Sequence, residues 1–147
     1  MRKVVVTGLG ALTPIGNDIP AYWQGLAQGR SGAGPITYFD AGGYKTQFAC
    51  ELKGYRPEDH FEPREARKLD PCTQYALVAA AQALQDAQLD LTQEDLTRIG
   101  AVWGTGIGGI ESMAEHIIRF DRSGDAARMH PFFIPKGIGN MPGGHIS

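Results

Sequence analysis

Apolar positions recur along this chain at two periods, and together they predict short strands alternating with helices. Val4-Val5-Val6 is an unbroken β-branched run closed by Thr7-Gly8, the pattern of a short strand buried on both faces. Residues 19–28 place Ile19, Tyr22, Trp23, Leu26 and Ala27 on one helical face, with Asp18 as the cap and Gly29 as the stop. Asp70-Pro71 sets a cap residue before a proline at the first helical position. It opens an alanine-rich run to about Gln88, which predicts a buried helix able to approach its neighbours closely. Ile99 to Trp103 reads as a second short strand. Ile110, Met113, Ala114, Ile117 and Ile118 then follow the i, i+3, i+4, i+7, i+8 stripe of an amphipathic helix. The order strand, helix, helix, strand, helix predicts the α/β class.

Between these elements the chain turns on glycine and proline. Twenty glycines and nine prolines gather in residues 8–16, 29–43, 104–109 and 135–144 with no repeat or low-complexity tract. In the last stretch Gly137, Gly139, Pro142, Gly143 and Gly144 predict a poor helix. Glycine costs about 1 kcal/mol and proline about 3 in a helix interior, so either tertiary packing makes this segment helical or the end of the chain is irregular.

Composition narrows the classes. With 147 residues, 42% hydrophobic and 20% charged, the chain has the make-up of a soluble globular protein. A net charge of −2 and a pI of about 6.0 provide no global basic field for nucleic acid. No run approaches the roughly 20 apolar residues of a bilayer span. The basic start Met1-Arg2-Lys3 leads into a run that Gly8 and Gly10 break too early for a secretion signal. The expectation is a cytoplasmic protein with no nucleic-acid or membrane partner. Cys50 and Cys72 are too few for a disulfide framework and lack metal-ligand spacing, so reduced, buried thiols are expected. His60, His116 and His130 have no companions at metal-like spacing and read as surface or packing residues.

Gly104-x-Gly106-x-x-Gly109 matches the dinucleotide fingerprint in letter, following a predicted strand and preceding a helix. A dinucleotide unit needs a second parallel strand after that helix, ending in an acidic residue. The chain instead runs to Arg122-Ser123-Gly124-Asp125 and then Phe132-Phe133-Ile134-Pro135. The six-residue turn is therefore read as a tight strand-to-helix connection that needs small residues. Gly8-x-Gly10 lacks its third glycine and meets Pro14, which makes it a loop. Arg64, Arg67 and Lys68, at i, i+3, i+4, would share one face of a helical turn, diluted by Glu62 and Glu65.

Ten short motifs fall together in one order. They are Val4-Val5-Val6-Thr7-Gly8-Leu9-Gly10, Thr13-Pro14-Ile15-Gly16, Phe39-Asp40, Arg67-Lys68-Leu69-Asp70, Gln74-Tyr75, Arg98-Ile99-Gly100, Gly104-Thr105-Gly106-Ile107-Gly108-Gly109, Pro131-Phe132-Phe133-Ile134-Pro135, Asn140-Met141 and Gly144-His145. In order and approximate spacing the chain resembles the β-ketoacyl-acyl-carrier-protein synthases, and among them the elongating type II condensing enzymes. The resemblance runs from residue 1 to residue 147. It implies the N-terminal part of the first half-domain of a thiolase-like condensing-enzyme fold, in subunits that pair as homodimers.

The activity so implied is a decarboxylating Claisen condensation. An acyl group sits on a cysteine, malonyl-carrier protein loses carbon dioxide, and the resulting carbanion attacks the thioester. The resemblance places that cysteine and both catalytic histidines beyond these residues, so no catalytic residue is assigned here and the segment is expected to be inactive alone. It implies no cofactor and no metal. By position, Ile107 matches the residue at the end of the acyl pocket. Phe133 fits either an aromatic approaching the acyl tunnel across the dimer or a plain core residue. The partner implied is acyl carrier protein, acyl- or malonyl-loaded, docking at Arg64, Arg67 and Lys68 with Arg128 extending the patch. The helix from Ile110 resembles one placed at the dimer contact. The alternative is a non-catalytic partner subunit, like a chain-length factor, or a free-standing carrier-binding module.

Overall fold

A computed structural model describes residues 3–147; Met1 and Arg2, the basic start weighed above, lie outside the described residues. In chain order the regular elements are α1 (Ile19–Ala27), β1 (Gly34–Pro35), β2 (Phe48–Ala49), α2 (Pro63–Ala66), α3 (Pro71–Asp86), α4 (Ile110–Ser123), α5 (Phe133–Gly137) and α6 (Met141–Ile146), with three short 3-10 turns between them. They fall into two compact units. One comprises the chain up to Tyr55 with Ala81–Leu89, and the other comprises Arg56–Ala80 with Asp90–Ser147.

The first unit is organised by its loops. Asp18 caps α1 as its sequence predicts, accepting the Ala21 N–H at 2.7 Å, and Gly29 leaves the helix at φ +62. The buried side of α1 is Gly25, whose missing β-carbon lets the helix lie against the Ile15 backbone. The expected apolar face is therefore corrected: Trp23 is 71% exposed, because the close approach at Gly25 turns it outward. β1 and β2 pair antiparallel, Gly34 opposite Ala49 and Pro35 opposite Phe48. The glycine loop before α1 rests on the end of α3. Leu9 and Ala11 donate their N–H groups to Asp86 Oδ2 and Gln82 Oε1 at 2.8 and 2.9 Å, and Gly8 meets the Ala83 and Ala87 backbone.

The second unit is built on the first half of α3. Leu69, Asp70, Thr73, Gln74, Ala76 and Val78 are buried there, so the buried helix that the alanine-rich run predicts is met only in this half, and past Val78 no residue of α3 is buried. α4 packs on α5, and Gly124, at φ +63, closes α4 with its N–H on the Phe120 carbonyl at 2.8 Å.

Three further expectations are corrected. Val4–Val6 and Ile99–Trp103 are not strands: among the described residues β1 and β2 form the only sheet, and Val4 and Val102 stand in solvent. A β-branched run becomes a strand only when a neighbour supplies the ladder, and no described residue does so here. The apolar stripe of α4 is real but faces outward, with Ile110, Ile117 and Ile118 exposed while Ser112 and His116 are buried. Cys50 is exposed rather than buried, and Cys72 is half-buried. Of the two alternatives left open for the glycine-rich stretch near the C-terminus, the helical one is found: α6 begins at Met141 with Pro142 in its first turn, where proline is tolerated.

Candidate functional site

Asp70 is the fixed point of the second unit. It is 2% exposed, and each carboxylate oxygen has a backbone donor: Oδ1 accepts the Cys72 N–H at 2.8 Å and Oδ2 the Ser112 N–H at 3.3 Å. The first bond caps α3 locally. The second reaches across 42 residues to the third position of α4. The first N–H groups of a helix lack internal partners, and an acceptor side chain at the cap normally supplies one. The cap residue of α4 is Gly109, which has no side chain. A β-carbon on Gly109 would overlap the Lys136 carbonyl oxygen, so the acceptor has to come from elsewhere in the fold.

The turn before α4 is held from two sides. Gly109 N–H donates to the Gly137 carbonyl at 3.2 Å, and Gly108, at φ +82, lies against Gly137 and Gly139. Thr105 Oγ1 accepts the Gly108 N–H at 3.2 Å and sits 3.7 Å from Cys72 Sγ. Ile107 rides on this turn, 69% exposed. Phe133 opens α5, half-buried, with its ring 5.7 Å from that of His116.

Beside the turn lies a cluster of rings. His116 is buried, and its Nδ1 donates to the Ser112 carbonyl at 2.7 Å, which fixes the proton on that nitrogen. His130 is arranged the other way: its Nδ1 accepts the Phe132 N–H at 3.1 Å, leaving Nε2 to carry the proton of the neutral ring. Burial, then the positive Lys136 and the neighbouring His116 and Arg119, hold His130 below the usual histidine value. Glu111 is shifted upward, first by burial and then by Asp70 and Glu115, with Lys136 opposing.

The basic residues divide between two places. Arg64 lies in α2 and Arg67 just after it, both exposed. Lys68 carries its Nζ over the Phe132 ring at 5.9 Å, and Lys136 Nζ donates to the Arg67 carbonyl at 3.2 Å. An apolar groove of about 360 Å³ opens beside Lys68, walled by Phe61, Leu69, Leu77, Phe132 and Met141. Arg128 pairs with Asp125 at 3.5 Å and is grouped with Arg119 and Arg122 around a concavity of about 520 Å³. Sequence reasoning missed the groove and the second bond of Asp70. A glycine in the cap position of a helix was the available sign that a cap was being supplied from a distance. Among the described residues no group of three or more His, Cys, Asp or Glu is placed to hold a metal ion, and no helix is long and apolar enough to cross a membrane.

Comparison with known proteins gives this arrangement a family. The model of the β-ketoacyl synthase N-terminal domain matches residues 1–147. The chain is 43% identical to 3-oxoacyl-[acyl-carrier-protein] synthase 2 of Staphylococcus aureus (strain COL), over 99% of this chain and 35% of that protein. To the protein of the same description from a Synechocystis species it is 42% identical, over 97% of this chain and 34% of the relative. It thus spans about a third of the length of these relatives. Among solved structures it resembles the ishigamide ketosynthase/chain length factor, with a TM-score of 0.79 and 31% identity over 99% of this chain and 36% of that one. It also resembles a type II PKS acyl-carrier protein in complex with its ketosynthase, with a TM-score of 0.80 and 25% identity over 100% of this chain and 38% of that one. The fold is that of the thiolase-like ketosynthases, and the chain belongs to the β-ketoacyl synthase family, whose N-terminal domain it carries.

Proposed function

We propose that this chain is the N-terminal part of a 3-oxoacyl-[acyl-carrier-protein] synthase II, which lengthens acyl chains in fatty acid biosynthesis by decarboxylative Claisen condensation of malonyl-carrier protein with an acyl thioester on cysteine. The observation that carries the proposal is 43% identity to a synthase of that description across 99% of the chain. The nucleophilic cysteine and the two histidines belong to the rest of the synthase. Cys50 and Cys72 lie outside the family's nucleophile motif, and the segment alone is inactive. Its work is binding: Ile107 stands at the end of the acyl pocket, and Phe133 contributes to the acyl tunnel.

Arg64, Arg67 and Lys68, with Arg128 as a second, separate basic point, receive the acidic acyl carrier protein. Support comes from the exposure of Arg64, Arg67 and Arg128 and from the likeness to a ketosynthase in complex with its carrier protein. The outward stripe of α4, Ile110, Ile117 and Ile118, suits the homodimer contact, and the cytoplasm is the compartment proposed. In the whole synthase, reversing both charges with Arg67→Glu and Lys68→Glu should raise KM for carrier-linked substrate on the order of tenfold with little change in kcat. An unchanged KM removes the docking assignment. The likeness to a ketosynthase/chain length factor favours a second reading, a non-catalytic partner subunit. Sequencing the nucleophile position of the whole protein separates them, because glutamine there marks the partner and cysteine the synthase.

A further inference from the structure

We propose that Asp70 is the positioning residue of the acyl-pocket turn, setting where Ile107 stands by holding the first turn of α4; this rests on the acyl-pocket reading of Ile107. Three observations support it. Within these residues Ile107 is largely exposed, so what they contribute to its position comes through the backbone on either side. Two residues on, Gly109 cannot carry a capping side chain, since its β-carbon would overlap the Lys136 carbonyl oxygen. The acceptor for the Ser112 N–H is instead the buried carboxylate of Asp70, whose other oxygen holds the Cys72 N–H. Cys72 in turn touches Thr105, which holds the Gly108 N–H. The turn bearing Ile107 is therefore fastened to the start of α3 at both ends, by Thr105 on one side of Ile107 and by Ser112 on the other.

An unlatched turn yields to a longer acyl chain pressing on Ile107, so the loss should fall unevenly across substrates. Asp70→Ser separates the two bonds of the carboxylate. A serine hydroxyl still caps α3 by accepting the Cys72 N–H, but it is too short to reach Ser112. In the synthase as its source makes it, the Ser112 amide should exchange with solvent at least tenfold faster in this variant while Cys72 stays protected. The ratio of kcat/KM for the longest accepted acyl thioester over the shortest should rise at least threefold. Asp70→Thr, whose hydroxyl caps α3 in the same way and is equally too short for Ser112, gives the same readouts if Asp70→Ser does not fold. Unaltered exchange at Ser112 would overturn the proposal. So would faster exchange with an equal loss of kcat/KM at every chain length, which is what a merely structural role produces. Ile107→Ala tests the underlying reading separately. If it leaves the chain-length profile unchanged, the acyl-pocket assignment fails; if it shifts the profile and neither Asp70 variant does, the positioning role alone fails.

Discussion

Gly109 lies so near the Lys136 carbonyl oxygen that one added carbon has nowhere to go. Gly109→Ala should therefore destabilise the second unit by about 1–3 kcal/mol, the usual cost of overpacking, read as a lower urea midpoint with an unchanged slope. His130 gives a prediction of a different kind. Its folded pKa lies below the ordinary 6.5, so as pH falls beneath that value the unfolded chain takes up the proton first. The contribution to stability is complete above pH 6.5 and is lost as pH falls through the folded pKa. His130→Asn keeps an acceptor for the Phe132 N–H and cannot be protonated, so its stability should fall less between pH 6.5 and 5. Glu111 works in the opposite sense. Its pKa is raised above 4.5 by partial desolvation and then by the Asp70 charge, so its ionised form weighs against folding once pH rises past that value, and Glu111→Gln should flatten the decline on that side.

Helices were far easier to read from this sequence than strands. Asp18, Gly29, Asp70-Pro71 and the stripe from Ile110 each carry their signal locally, and α1, α3 and α4 begin at or within a residue of where those signals put them. Replacing Gly124 by alanine at φ +63 should cost α4 about 1 kcal/mol in thermal or chemical unfolding. Asp18→Ala should cost α1 a similar amount, since its carboxylate holds the Ala21 N–H. Val4–Val6 and Ile99–Trp103 show why the strands were misjudged. Their composition is that of strands, but a ladder is a property of two segments, and the second is not among the described residues. Which way a face turns was equally illegible: Gly25 and Gly109 decide it, by permitting close backbone approach that no apolar stripe encodes. Of the site, Ile107, Phe133 and the docking role of the basic residues follow from family likeness, whereas the second bond of Asp70 exists only in the folded chain, across 42 residues.

At the scale of the whole chain, large apolar side chains stand in solvent in both units, among them Val4–Val6, Trp23, Val102, Ile117 and Ile118. Purified alone, these 147 residues should bind a hydrophobic dye strongly and scatter more light as concentration rises. A clean, dye-silent monomer would contradict that expectation. The shared cap also bears on the order of events in folding. Because Asp70 and Ser112 are 42 residues apart, the bond that completes the start of α4 can form only after a long loop has closed, whereas the Asp18 cap of α1 is available within a few residues. α1 can thus nucleate early, and α4 is finished late. A peptide of residues 104–124 should show little helix in water, and substitutions at Asp70 should hasten unfolding far more than they slow refolding.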